Sequence, residues 1–314
     1  MKKVIREVLK AFSLDHVNVE EARRLADLKR ISLTKAFHDT IDINVLNVEH
    51  AIPIRIFFPN KEEKEVGESQ GCTLPILIYL HGGGWVTDGI ENYGRICDRL
   101  SRYTLTIVIS VDYRLAPEHK FPIGLEDCFC VVKSVYSNTF PVPILTQDIT
   151  LVGDSAGGNL VAALCQKCRN ENRNWPMKQV LIYPALSNDY SVNSPFESVH
   201  KNGEGYLLTA GKMQDFLMYY QSSETDLVNP YFAPIIETNL VNLPRTLIVT
   251  AENDPLRDEG EAYGMALRAA GNEVDIYRIN HALHGFFGLG INSAHVRRTL
   301  EYINNFLQAK GIEN

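Results

Sequence analysis

The sequence has no block of basic residues and no apolar run long enough to cross a bilayer. Its 31 Lys and Arg are outnumbered by 38 Asp and Glu, leaving a formal net charge of −7. A phosphate backbone finds no electrostatic partner in such a chain, so nucleic acid is not an expected partner. The opening MKKVIREVLKAF interrupts its apolar residues with Arg and Lys, unlike the continuous apolar core of a secretion signal. With no membrane span either, the expectation is a soluble cytoplasmic protein. Cysteine is scarce: Cys72, Cys97, Cys128, Cys130, Cys165 and Cys168 are six in 314 residues, too few for a disulfide framework. Cys165 and Cys168 form a C-x-x-C, but inside the helical pattern NLVAALCQKCRN and without a second ligand pair. Plain reduced thiols and no metal are expected. Internal repeats and low-complexity segments are also missing.

Hydrophobic residues make up 45% of the chain and charged ones 22%, enough for one large domain or a core with a smaller companion. Residues 1 to about 40 read as helical, with Val4, Ile5, Val8, Leu9 and Phe12 on one face and Asn18 three positions before Glu21 as an N-cap pair. Seven apolar runs then read as strands: 51–58, 74–80, 105–111, 149–152, 179–184, 246–251 and 273–279. Several are apolar throughout, as strands buried on both faces should be. Helical patterns at 123–136, 156–170, 257–270 and 292–309 supply crossovers for a mostly parallel sheet. The polar NKEEKEVGESQG (60–71) reads as a solvated loop. Residues 187–225 break the alternation, are rich in aromatics, and are expected to form an insertion that packs with the N-terminal helices.

Two glycine-rich stretches carry the chemistry. ITLVGDSAGGNLVAAL (149–164) sets G-x-S-x-G between a strand and a helix, a turn that presents Ser155 above the sheet while Gly153 and Gly157 allow close approach. A serine hydroxyl is a weak nucleophile and needs a base and an acid. INHALHGFF (279–287) offers His284, on the loop after the last strand, in preference to His281, which is read as structural. TLIVTAENDPLRDEG (246–260) offers Asp254 at a strand end. An Asp before Pro is also a natural helix N-cap, but the order Ser155, Asp254, His284 favours a catalytic acid over Glu252 and Asp258. HGGGW (81–85) ends the strand before it with three glycines, whose bare amides can face the nucleophile. Gly83 and Gly84, with the amide of Ala156, are the expected oxyanion hole. The competing phosphate cradle would need a GKS or GKT ending or a G-x-G-x-x-G opening a helix, and neither is present.

HGGGW, DYRLAPEHKFP (112–122), GDSAGG (153–158), DPLRD (254–258) and HGF (284–286), in this order, resemble the bacterial hormone-sensitive-lipase-like carboxylesterases of the α/β-hydrolase superfamily. The motifs span about two thirds of the chain. The resemblance implies an α/β-hydrolase fold: an eight-stranded, mostly parallel sheet flanked by helices, with a helical cap from residues 1–44 and the insertion at about 187–225 on a core of 45–314. It further implies hydrolysis of short- to medium-chain acyl esters by Ser155, His284 and Asp254, without cofactor or metal, and gives YRLAPE no chemistry. An amidase, lactonase or deacetylase on the same triad stays open. So does a ligand-binding pseudo-hydrolase, since the family resembles the plant gibberellin receptors, which lose the catalytic histidine; His284 argues for an enzyme. A small-molecule ester is the expected partner, and a homodimer is left open.

Overall fold

The computed structural model describes residues 16–31, 39–47, 50–137, 139–173, 175–289 and 293–309. In chain order the first elements are α1 (Val19–Ile31), β1 (Thr40–Leu46), β2 (Ala51–Phe57), α2 (Lys61–Gln70), β3 (Ile76–Leu80), α3 (Ile90–Thr104) and β4 (Ile107–Val111). Then come α4 (Ile123–Tyr136), β5 (Ile149–Asp154), α5 (Ala156–Asn170), β6 (Lys178–Ile182), α6 (Glu197–Asn202) and α7 (Ala210–Tyr220). The chain closes with β7 (Arg245–Asn253), α8 (Arg257–Ala269), β8 (Val274–Leu283), α9 (Phe286–Leu289) and α10 (Ala294–Gln308).

The eight strands form one sheet in the order β1-β2-β4-β3-β5-β6-β7-β8. β2 runs antiparallel to both β1 and β4, and every other pairing is parallel. All residues of β3, β4 and β5 are buried, which is why these segments read as unbroken apolar runs rather than alternating ones. Successive side chains still point to opposite faces. Ile76, Ile78 and Leu80 join the core beneath α4, α5 and α8, while Leu77 and Tyr79 join the one beneath α3 and α10. Burying such a side chain contributes about 1.5–3 kcal/mol, so the five of β3 outweigh the roughly 0.5–1 kcal/mol per glycine of the loop that follows. The sheet can therefore end in a run of glycines.

Several elements escaped the sequence reading, α3 among them, and two show why. Residues 60–71, expected as a loop, contain α2: Asn60 Oδ1 accepts from the Glu63 amide at 2.9 Å, and Lys61–Glu65 and Lys64–Glu68 pair one turn apart. A helix polar on nearly all sides has no apolar stripe to betray it. The eighth strand, β1, adds to the seven read from apolar runs, and the boundary expected at residue 44 falls within it. Its alternate Ile41, Ile43 and Val45 pack on the core while its other face stays more exposed. Asn18 does cap α1, accepting from the Glu21 amide at 3.0 Å; the face of Val4, Ile5, Val8, Leu9 and Phe12 lies outside the described residues. Cys165 and Cys168 are buried on α5 as free thiols. No helix among the described residues is long and apolar enough to cross a membrane.

Candidate active site

Ser155 occupies the junction of β5 and α5 with φ 54° and ψ −120°, a conformation that costs on the order of 1–3 kcal/mol for a side chain with a Cβ. The surroundings hold it there. Its amide donates to Ile182 O at 2.9 Å, and its carbonyl accepts from the amides of Asn159 at 3.1 Å and Ala185 at 3.2 Å. The two flanking glycines are forced by proximity. A Cβ on Gly157 would lie 2.0 Å from Leu80 O, and one on Gly153 would lie 2.3 Å from Gly157 O. Any larger residue would push the elbow off β3, where Leu80 is in register with Gly153.

The parallel order delivers the partners to the same sheet end. Asp254 follows β7, beyond the register shift between Ala251 and Asn253, and His284 follows β8. His284 Nε2 lies 2.9 Å from Ser155 Oγ, and its Nδ1 lies 2.8 Å from Asp254 Oδ2. With the carboxylate as acceptor, the ring proton sits on Nδ1 and Nε2 is free to accept from the hydroxyl. Asp254 is wholly buried, and its Oδ1 takes the Leu256 amide at 2.9 Å. One carboxylate oxygen thus faces the turn into α8 and the other faces the histidine.

The remaining candidates stand apart. His281 is largely exposed and faces Glu252, whose carboxylate accepts its amide at 2.5 Å. Asp258 accepts from the Ser198 amide at 2.7 Å and ties α8 to α6. Neither carboxylate touches His284 among the described residues.

Gly83 (φ 104°) and Gly84 (φ 61°) bend the loop after β3, which lines the same cavity as Ser155. A Cβ on Gly83 would meet Thr87 O at 2.3 Å, and one on Gly84 would meet the Phe216 ring at 2.4 Å. The loop is pinned from several sides. Arg23 of α1 donates to Val86 O at 2.9 Å and forms a bidentate pair with Glu118 at 2.7 Å. Trp85 stacks on Tyr220 of α7 with centroids 4.6 Å apart. Tyr113 OH, from the DYRLAPE stretch, donates to His81 O at 2.7 Å.

One residue that the sequence reading passed over joins these parts. The Asp154 carboxylate, 2% exposed, accepts from Tyr79 OH (3.0 Å) and the Gly82 amide (3.0 Å) on Oδ1, and from Tyr93 OH (2.9 Å) and Tyr183 OH (3.2 Å) on Oδ2. Burial pushes its pKa up, against the Tyr93 and Tyr79 hydrogen bonds that favour the charged form. Asp154 thus ties the glycine loop to the elbow, and Tyr183, whose ring centroid lies 4.8 Å from that of His284, carries the link onward. An acid at the end of a strand that is otherwise uncharged was the available signal.

Ser155 and His284 open on a cavity of about 240 Å³ whose wall includes Gly83, Gly84, Ala156, Leu208, Met213 and Phe216. Leu208, Met213 and Phe216 come from the segment expected as an insertion, which also meets the N-terminal region: Asp215 accepts from the Val17 amide at 2.7 Å, and Tyr219 OH donates to Val17 O at 3.1 Å.

A protein-family model described as alpha/beta hydrolase fold matches residues 77–288. An arylesterase of Saccharolobus solfataricus is 36% identical over 251 residues, 80% of this chain and 78% of its own. An ethyl acetate hydrolase of Pseudomonas putida is 32% identical, covering 77% of this chain and 73% of its own. The solved Pyrobaculum calidifontis esterase superposes with a TM-score of 0.86 at 33% identity, with 98% of each chain covered. The chain therefore belongs to the α/β-hydrolase fold family. Within that family it is a serine ester hydrolase of the hormone-sensitive-lipase-like group.

Proposed function

We propose that the protein hydrolyses short- to medium-chain acyl esters through an acyl-enzyme on Ser155. The observation that carries this reading is the unbroken chain from Ser155 Oγ through His284 to buried Asp254, with links of 2.9 and 2.8 Å, at a small cavity. His284 Nε2 takes the hydroxyl proton as Oγ attacks the ester carbonyl, and the imidazolium returns that proton to the departing alcohol. A water that gives its proton to the same nitrogen then attacks the acyl-enzyme. The acid leaves and Ser155 is regenerated. Asp254 holds the tautomer and stabilises the imidazolium. The amides of Gly83, Gly84 and Ala156 receive the oxyanion, a task in which one lost donor typically costs about 100- to 1,000-fold.

The wall residues Leu208, Met213 and Phe216, with the contacts of Asp215 and Tyr219 to Val17, support a cap formed by the segment before β1 and residues about 187–225, with residues 40–44 belonging to the sheet. The test of the mechanism is Ser155→Ala, expected to lower p-nitrophenyl butyrate turnover by at least about 10⁴-fold with the fold intact. Retained turnover, or failure of a fluorophosphonate to label Ser155 in the parent protein, refutes it. Matched ester and amide substrates then fix the leaving group, with the ester expected to be preferred.

A further inference from the structure

Asp88 has no task in the mechanism above, yet it lines the same cavity as Ser155. It stands just before α3 with φ 68°. A Cβ built on Gly83 would lie 2.9 Å from its Oδ2, so the carboxylate rests against the glycine loop. The simplest structural task for an acid there is to cap α3. That task belongs to another residue: the Ile90 amide donates to Asp112 Oδ1 at 3.2 Å. Among the described residues the one hydrogen bond to the Asp88 side chain comes from the Thr87 hydroxyl, at 3.0 Å.

The wall of the cavity contains Asp88 and Asp154 and no Lys or Arg among the described residues. Asp154 is satisfied by three phenols and an amide. Asp88 is not. A carboxylate beside the amides that receive a developing oxyanion opposes that charge, so it hinders the turnover of a neutral ester. A cation carried by the substrate removes the hindrance and gains from it. The same wall includes the aromatic residues Trp85, Tyr93 and Phe216, of the type that receives quaternary ammonium groups.

We propose that Asp88 selects esters that carry a positive charge, a quaternary or primary ammonium a few atoms from the scissile carbonyl. This deepens the ester-hydrolase reading and rests on it. The charge can sit on the alcohol or on the acyl side, and two pairs of isosteres separate these sources. One pair is butyrylcholine against 3,3-dimethylbutyl butyrate. The other is ethyl 4-(trimethylammonio)butanoate against ethyl 5,5-dimethylhexanoate. In at least one pair kcat/KM is expected to favour the cation by about tenfold at low salt, and the preference is expected to shrink as salt screens the charge. Asp88→Asn, which tolerates positive φ, should bring the ratio close to one, and Asp88→Glu should retain part of it. Because the readout is a ratio, a general loss of activity does not mimic the effect. Ratios near one in both pairs, or a preference that survives Asp88→Asn, overturn the proposal while leaving the esterase reading in place. Absence of turnover on every ester overturns both.

Discussion

Ser155 lies between two walls that keep their shape by different means. On the sheet side, the ends of β3, β5 and β7 bring glycine backbone and buried carboxylates so close that single atoms fix the residue types. Leu80 O lies 2.0 Å from where a Gly157 Cβ would sit, and Asp154 is filled by four donors. On the other side, Leu208, Met213 and Phe216 face the cavity with apolar side chains, and α7 is held by apolar packing of Met213, Leu217 and Tyr220, by stacking on Trp85 and by contacts at Val17. There, any apolar group of similar volume keeps the wall closed. The sheet side should therefore control whether turnover occurs, and the other side which ester is turned over.

The hardest test of that division is Asp254→Asn. An asparagine oxygen can still take the Leu256 amide, so the turn into α8 should survive. Its amide nitrogen donates rather than accepts and so favours the wrong His284 tautomer. A fall in kcat of about 10⁴-fold, with an unchanged melting temperature, is the expected outcome. A loss below about tenfold would mean that the buried carboxylate does not govern the chemistry, and the contrast between the walls would fail.

The same contrast explains what the sequence discloses. Gly153, Gly157, Gly83 and Gly84 are dictated by close approach or positive φ, so they appear as fixed letters in HGGGW and GDSAGG. Asp254 follows β7, whose apolar run is legible because both faces are buried, whereas His284 follows the edge strand β8, which is fully buried at only two of its ten positions. β1 and α2 were missed for the opposite reason: the first has one half-exposed face, and the second is almost wholly polar and is marked only by its cap. Arg23 reaches Val86, Ala116 and Glu118, at least 63 residues away, and nothing local marks it. The insertion showed its aromatics, but not that Phe216 would lie on Gly84.

A joint between the two regions gives an intermediate effect. Glu259 on α8 is wholly buried, and its Oε1 accepts from the amides of Leu186 and Ser187 and from Tyr190 OH at 2.7, 3.3 and 2.8 Å. These residues lead from β6 into the insertion. Burial raises its pKa from 4.5 to about 8. Between those values the folded protein keeps a proton that the unfolded chain has released. Stability is then highest below pH 4.5 and declines as pH rises to about 8. Glu259→Gln keeps an acceptor at Oε1 and cannot ionise. Urea unfolding at pH 5 and pH 9 should show the variant losing on the order of 3–4 kcal/mol less than the parent over that interval. Parallel losses in the two proteins would show that Glu259 is ionised throughout.

The smallest effect belongs to Phe216. Its ring lies on Gly84, so close that a Cβ there would sit 2.4 Å from Cδ1, and it closes one side of the cavity. Phe216→Ala removes the ring without touching Ser155, His284 or the glycine amides. A residue on a wall set by volume should give way with modest loss of stability, about 1–2 kcal/mol, below the 3–5 typical of a fully enclosed phenylalanine. The vacated space then admits longer acyl groups. A panel of p-nitrophenyl esters should show the octanoate to butyrate ratio of kcat/KM rising a few-fold, with butyrate kcat lowered less than tenfold. A collapse of kcat on every chain length, with the ratio unmoved, would mean that the ring supports the glycine loop instead of sizing the pocket, and Phe216 would then belong with the residues that make turnover possible.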